Sequence, residues 1–241
     1  MIDIFVPVYN EGKNIKALFD DIQEKVNSEF RLIIVYDADE DNTIPVIKEI
    51  KDNYNFEIQL EKNHYGRGAL NAVKTGIESA KSKYWVFTMA DLSDSIETIN
   101  IMKEKIDEGY DVVCGSRYIK GGAVVGGPKL KRLLSRCSAI GMRIAAGVPV
   151  HDITNGFKMY RTSVLKSVEI ESTHGFEIIL EIFLKCYLNG AKITEVPAKW
   201  YDRTEGKSNF KMWDWIPHYL YWCFYTLKNK RKIKKQDGKI G

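Results

Sequence analysis

The sequence predicts an α/β fold, a mostly parallel sheet flanked by helices, with an amphipathic helical appendage at its C-terminal end. Three observations carry this. Short apolar runs alternate with stretches whose apolar residues recur at helical spacing, through the first 117 residues. Each run ends in a polar loop, as in sheets whose ligands gather beyond the carboxyl ends of the strands. Of the 241 residues, 44% are hydrophobic and 28% charged, which allows a sizeable core.

The elements follow in order. "IDIFVPV" (2–8) reads as a buried strand and "NIKALFDDIQEKV" (14–26) as an amphipathic helix. "RLIIVYD" (31–37) is the second strand. "IPVIKEIKDNY" (44–54) is the next helix, with Pro45 suited to its first turn. "FEIQLEK" (56–62) is a third strand, and "GALNAVKTGIESAK" (68–81) a helix after a glycine pair. "YWVFTM" (84–89) is a fourth strand, leading to a helix over 95–109 that Ser95 or Asp94 would cap. "YDVVCGSR" (110–117) is a fifth strand, and 120–129 a glycine-rich loop. "KLKRLLSRCSAIGMRIAAG" (129–147) has helical periodicity with a basic face. "HDITNGFKMYR" (151–161) enters a short strand, 174–190 is a helix, and "AKITEVPAKWYDR" (191–203) a strand with its exit loop. Residues 1–212 are expected to form one domain, and 213–241 an aromatic and basic helix and tail.

The loops carry the chemistry. After strand one stand Pro7, which stiffens the exit, Tyr9, which can pack on a flat ring, and Glu11, which can accept from a base or sugar; Asn10 there suits a helix cap, the alternative reading of this loop. After strand two come Asp37, Asp39, Glu40 and Asp41. Asp37 is best placed to accept from ribose or base, while Asp41 and Thr43 suit a helix cap. Gly66, Arg67 and Gly68 precede a helix, where glycine lets a ligand approach the backbone. Asp91 follows strand four, where a divalent cation would bridge it to a diphosphate; Mg²⁺ and Mn²⁺ commonly take few protein carboxylates. Asp94 either joins as a ligand, directly or through water, or caps the following helix. Arg117, the cations between Lys129 and Arg136, Arg203 and Lys207 suit a phosphate.

The net charge is +4, yet residues 228–241 hold seven Lys or Arg and one Asp, leaving the rest near −2. Such a tail suits anionic lipid or simply a solvated end. Aromatics from Trp213 to Tyr225 precede it, which reads either as an interfacial helix or as a helix packed on the domain. The four cysteines form no CxxC pair, so neither zinc nor disulfides are expected. The chain opens on a strand rather than a leader, and no apolar run nears the ~20 residues of a span.

Taken together, "VPVYNEGKNI", "IIVYDADEDNT", "NHYGRGALNAVKTGI", "MADLSDS", "DVVCGSRY", "KLKRLLSR", "DITNGFKMYR", "HGFEIILEI" and "EVPAKWYDRTEGKSNF" resemble family 2 glycosyltransferases of the GT-A fold. Within these, the chain resembles the branch of dolichol-phosphate mannose synthases and polyprenyl-phosphate sugar transferases. The resemblance implies a Rossmann-like sheet. It implies that Pro7, Tyr9, Glu11 and Asp37 hold the nucleotide, with Gly66 and Arg67 beside them, and that Asp91, helped by Ser93 and Asp94, holds Mg²⁺ or Mn²⁺. Arg117, Lys131, Ser135, Arg203 and Lys207 would face a lipid phosphate, and Asp152 belongs to the same acceptor side. Three features depart from the pattern. Tyr36 and Asp39 alter the usual "VDDGS", Met89 stands where the first acid of Asp-x-Asp is usual, and no membrane span follows.

The expected reaction moves a sugar, with inversion, from a nucleoside diphosphate to an anionic acceptor, a polyprenyl phosphate above all. The enzyme would be cytoplasmic, peripheral at the membrane face, with no nucleic-acid partner. With a hydroxyl acceptor, such as a cell-surface glycan precursor, Asp152 would be the base. The rivals are a nucleotidyltransferase, whose glycine-rich basic signature after strand one is missing, and a degenerate nucleotide-sugar binding module.

Overall fold

A computed structural model of the chain describes residues 1–202 and 212–230; nothing is said of the side chains of Lys131 and residues 212–215. A seven-stranded sheet forms the centre, in the order β3-β2-β1-β4-β7-β5-β8. Its strands are β1 (Ile2–Val8), β2 (Phe30–Tyr36), β3 (Glu57–Lys62), β4 (Tyr84–Phe87), β5 (Val112–Ser116), β7 (Lys158–Arg161) and β8 (Ile193–Pro197). The short β6 (Ala123–Val125) and β9 (Lys199–Tyr201) pair in parallel beside it. Helices α1 (Ile15–Lys25), α2 (Thr43–Ile50), α3 (Ala69–Glu78), α4 (Thr98–Asp107), α5 (Lys129–Ala146), α6 (Thr162–Lys166), α7 (Glu177–Leu188) and α8 (Met212–Asn229) surround the sheets.

Alternation along β1 explains the layering. Ile2, Ile4, Val6 and Val8 pack with α1, α2 and α4 on one face. Phe5 turns to the other, against Trp85, Phe87 and α3. There a Cβ on Gly76 would lie 2.3 Å from the Phe5 ring, so only glycine lets α3 sit this close. The single buried charge at the start of β1, Asp3, is satisfied by Arg31, Ser82 and the Lys81 amide.

The sheet is mostly parallel, as expected, with β7 running antiparallel between β4 and β5. Two expectations are corrected. The fourth strand ends at Phe87 rather than Met89. Helix α4 begins at Thr98, and neither Asp94 nor Ser95 caps it in the expected way. Both are used elsewhere: Asp94 accepts from the Thr88 hydroxyl at 3.0 Å, and Ser95 Oγ accepts from the Lys199 amide at 2.9 Å.

Helix α8 packs on α7 and α5. Trp222 is buried and its indole N–H donates to Ser172 Oγ at 3.1 Å. Ser172 is itself held by the buried Glu181, which also pairs with Lys185 at 2.8 Å. Trp222 therefore faces the core, unlike the interfacial aromatic it resembles in sequence, while Tyr221 and Phe224 are exposed.

Candidate functional site

The polar loops expected from the sequence converge beyond the carboxyl ends of β1, β2, β3 and β4. The loops after β1 and β2 brace each other. Asn10 N–H donates to Asp41, Glu11 N–H to Thr43 Oγ1 and Gly12 N–H to Asn42 Oδ1, each near 3 Å. Asn10 takes positive φ (57°) to do so, and α1 is entered at Asn14 rather than capped by Asn10. The Glu11 carboxylate accepts from Asn14 Nδ2 at 2.7 Å, and Tyr9 is exposed beside it. Asp37 joins the next loop, accepting from Asn63 Nδ2 and from the Gly68 amide, both at 2.9 Å. Gly68, with φ 113°, holds a backbone that other residues rarely adopt. Arg67 pairs with Glu40 at 2.6 Å and Lys62 with Asp39 at 2.5 Å, both in solvent. Pro7, Tyr9, Glu11, Asp37, Gly66 and Arg67 thus share one edge of the sheet.

Asp91 and Asp94 lie at the centre, both buried. Asp91 Oδ1 accepts from the Ser93 amide at 3.1 Å, and Leu92 between them is forced to φ 59°, the kind of strain that clusters at functional loops. Burial, and then the charge of Asp91, push the Asp94 carboxyl up to about 7. A divalent cation, if bound, would relieve the repulsion between two acids held together in this way, and Asp91 and Asp94 would hold it. Among the described residues no three His, Cys, Asp or Glu gather into a cage. The donor set therefore fits Mg²⁺ or Mn²⁺ only if phosphate and water complete the coordination. Met89 is partly buried against the core, so position 89 adds hydrocarbon rather than charge.

These acids line one end of a cavity of about 370 Å³. Arg117 stands at the same end. Its guanidinium grips the buried Asp152 at 2.7 and 3.0 Å and reaches Ser135 Oγ and Thr154 Oγ1 at 3.3 and 3.2 Å. Burial alone would lower the Arg117 pKa, but Asp152 outweighs it and the pKa is raised. Asp152 also accepts from the Arg117 and Asn155 amides, so both of its oxygens are engaged. Behind it Lys158 is wholly buried, donating to the carbonyls of Ile153 and Asn155.

Most of the remaining lining is apolar, with Met89 and Phe157, Leu134 from α5, Phe176 and Ile179 at α7, and Ile216, Tyr219 and Leu220 from α8, although Arg132, Ser138 and Asn155 also line it. Apart from Met89 and Tyr219, sequence reading missed these apolar residues and Trp200, because a cavity wall built from several elements looks like ordinary core in each. Ser135 is brought to Arg117, whereas Lys131 lies on α5 with its side chain outside the description. Arg203 and Lys207 fall outside the described residues. So does the basic tail beyond Lys230.

A family model, glycosyl transferase family 2, matches residues 3–169, more than half of the chain. The chain belongs to this family. A dolichol-phosphate mannosyltransferase of Pyrococcus furiosus is 30% identical over 213 residues, 87% of this chain; the match spans only 59% of that relative. A polyprenol monophosphomannose synthase of Mycolicibacterium smegmatis is 26% identical, over 85% of this chain and 79% of its own length. Glucosyl-3-phosphoglycerate synthase of Mycobacterium tuberculosis, solved with Mn²⁺, UDP and glucosyl-3-phosphoglycerate, superposes with a TM-score of 0.68 at 15% identity. That match covers 95% of this chain and 79% of the synthase, and it shows the GT-A fold.

Proposed function

We propose that this family 2 chain transfers a sugar from a nucleoside diphosphate to a polyprenyl phosphate, with inversion. The observation that carries the reading is the cavity, which joins two buried acids and an arginine to an apolar interior running between α5, α7 and α8. A diphosphate suits the first end, and the first isoprene units of a lipid suit the second. Pro7, Tyr9, Glu11, Asp37, Gly66 and Arg67 bind the nucleotide. Asp91, with Ser93 and Asp94, holds the cation. Mg²⁺ or Mn²⁺, when bound, neutralises the departing diphosphate as a Lewis acid.

Arg117 stabilises charge on the phosphates, held in place by Asp152. Lys131, Ser135, Arg203 and Lys207 receive the acceptor phosphate. That phosphate is ionised at neutral pH and needs orientation rather than a base, which agrees with Asp152 being committed to Arg117. Water is kept from the anomeric carbon by the apolar wall.

The chain would work from the cytoplasmic face of a membrane. No helix among the described residues is long and apolar enough to cross one. However, Leu130, Leu133, Ile140 and Ile144 of α5 and Leu220, Tyr221 and Phe224 of α8 are exposed, beside the cations Lys129, Arg132, Arg136 and Arg143. That combination suits anionic headgroups over an apolar layer. The test is incubation of the full chain with Mn²⁺, nucleotide sugars and a short polyprenyl phosphate. Release of nucleoside diphosphate with formation of a lipid-linked sugar is expected. Pyrophosphate release instead, or binding without turnover, would refute the reading.

A further inference from the structure

The geometry points to Trp200 as the wall of the sugar subsite, an indole platform on which the donor's hexose rests. The inference rests on the donor reading above and adds a residue to it. Trp200 faces Asp94 across an isolated antiparallel bridge. Neighbouring bonds fix that register: Tyr201 N–H donates to Ser93 C=O at 2.8 Å, and Ser95 N–H to Lys199 C=O at 3.1 Å. Residues directly opposite on adjacent strands send their side chains to the same face, with Cβ atoms roughly 5 Å apart. The indole therefore stands beside the Asp94 carboxylate, and Trp200, Asp91 and Asp94 all line the same cavity.

The ring packs closely on backbone. Gly127 adopts φ 72°, and a Cβ there would lie 3.1 Å from indole Cζ3, so a side chain at 127 would make the ring give way by a few tenths of an ångström. A half-buried indole held against backbone can take a ligand with little further ordering. With a diphosphate at Asp91, the sugar is joined to the β-phosphate through one oxygen, so it must lie within a few ångströms of the acids. The hydrogen-bonded strand edge puts an aromatic ring there. Hexoses carry C–H groups on their faces, and an aromatic ring covers such groups while hydroxyl edges stay free to bond. The alternative is that Trp200 only fills space over the glycine turn.

Calorimetric titration on the full chain with Mn²⁺ separates the two. The probes are UDP-glucose and GDP-mannose, each set against UDP and GDP. Trp200→Leu should weaken the nucleotide sugar about tenfold, the scale of one lost apolar contact, and leave the matching nucleoside diphosphate within about twofold. Trp200→Phe, which keeps a ring, should stay within about threefold for both. Equal losses for sugar and nucleotide, or no loss, would overturn the assignment. Should the leucine variant fail to fold, saturation-transfer NMR on the wild-type chain decides. Transfer from aromatic protons to the sugar C–H protons is expected, and its absence refutes the platform. A wild-type chain that binds neither nucleotide sugar nor nucleotide sinks the donor reading itself and this inference with it.

Discussion

The two halves of the site are built on opposite principles. The loop edge after β1, β2 and β3, proposed to hold the nucleotide, is polar and cross-braced: Asp41, Thr43, Asn42 and Asp37 each accept a backbone N–H from a different loop. The side around α5, α7 and α8, proposed to meet the acceptor, leaves large apolar side chains in solvent among cations. A water-soluble ligand with many acceptors and donors calls for fixed dipoles. A lipid calls for area. The difference teaches that one molecule can carry both kinds of surface: braced dipoles on the loops after β1 to β3, and a largely apolar cavity that Asp91, Asp94 and Arg117 also line.

The sharpest way to break that comparison is within α8. Trp222 and Phe224 are two residues apart and face opposite ways, 2% and 65% exposed. Trp222→Ala should cost about 3–5 kcal/mol of stability through the cavity it leaves and the lost bond to Ser172. Phe224→Ala should stay within about 0.5 kcal/mol in urea unfolding, yet reduce sedimentation with anionic liposomes. Equal effects on stability would mean that α8 does not have a core face and a free face.

On the polar side, Asp91→Ala should weaken Mn²⁺-dependent nucleotide binding at least a hundredfold, roughly the upper scale for groups that merely support a metal's ligands. Calorimetry with and without Mn²⁺ reads this. Retained metal-dependent binding would move the cation site elsewhere.

Next in size is a pH effect. Asp94 is raised from 3.8 to about 7, first by burial and then by Asp91. The folded chain therefore holds a proton that the unfolded chain has released across that window. Stability should fall as pH rises from about 4 to 7, by at most about 1.4 kcal/mol per pH unit, and Asp94→Asn should flatten the slope. Mn²⁺ with a nucleoside diphosphate should flatten it too, since a cation stabilises the ionised form. Thermal unfolding across the range, with and without ligand, checks both signs; a rise in stability with pH would contradict the burial of that acid.

Much of this was legible in the sequence, for identifiable reasons. The strand of residues 2–8 announces itself because each face of β1 is buried against a helix layer. The α5 helix does so because one side meets the core and the other is charged. The direction of β7 was not legible. Its side chains alternate the same way in either direction, and Lys158 makes "KMYR" look like an edge, although its ammonium is buried against loop carbonyls. Asp94 and Ser95 looked like caps because that role is the local one. Their actual partners are Thr88 and, about a hundred residues away, Lys199. The partnership of Asp152 with Arg117 was not legible either, because 35 residues separate the two in the chain.

The smallest expected effect tests whether the nucleotide edge works through fixed dipoles or through mobile charge. Arg67 and Glu40 form an ion pair in solvent, with side chains 71% and 73% exposed. Such pairs contribute at most about 1 kcal/mol, so Arg67→Ala should leave the unfolding midpoint almost unchanged. If Arg67 leaves Glu40 to meet a phosphate or base, the same variant should weaken nucleoside diphosphate binding about threefold to tenfold, and more at low salt than at high, because an exposed charge is screened within about 10 Å at 0.1 M. Gly68→Ala, which disturbs the fixed backbone that donates to Asp37, should weaken binding equally at both salt concentrations. A salt dependence shared by both variants would mean the edge is electrostatic throughout. A loss confined to the glycine variant would leave recognition to the braced loops alone.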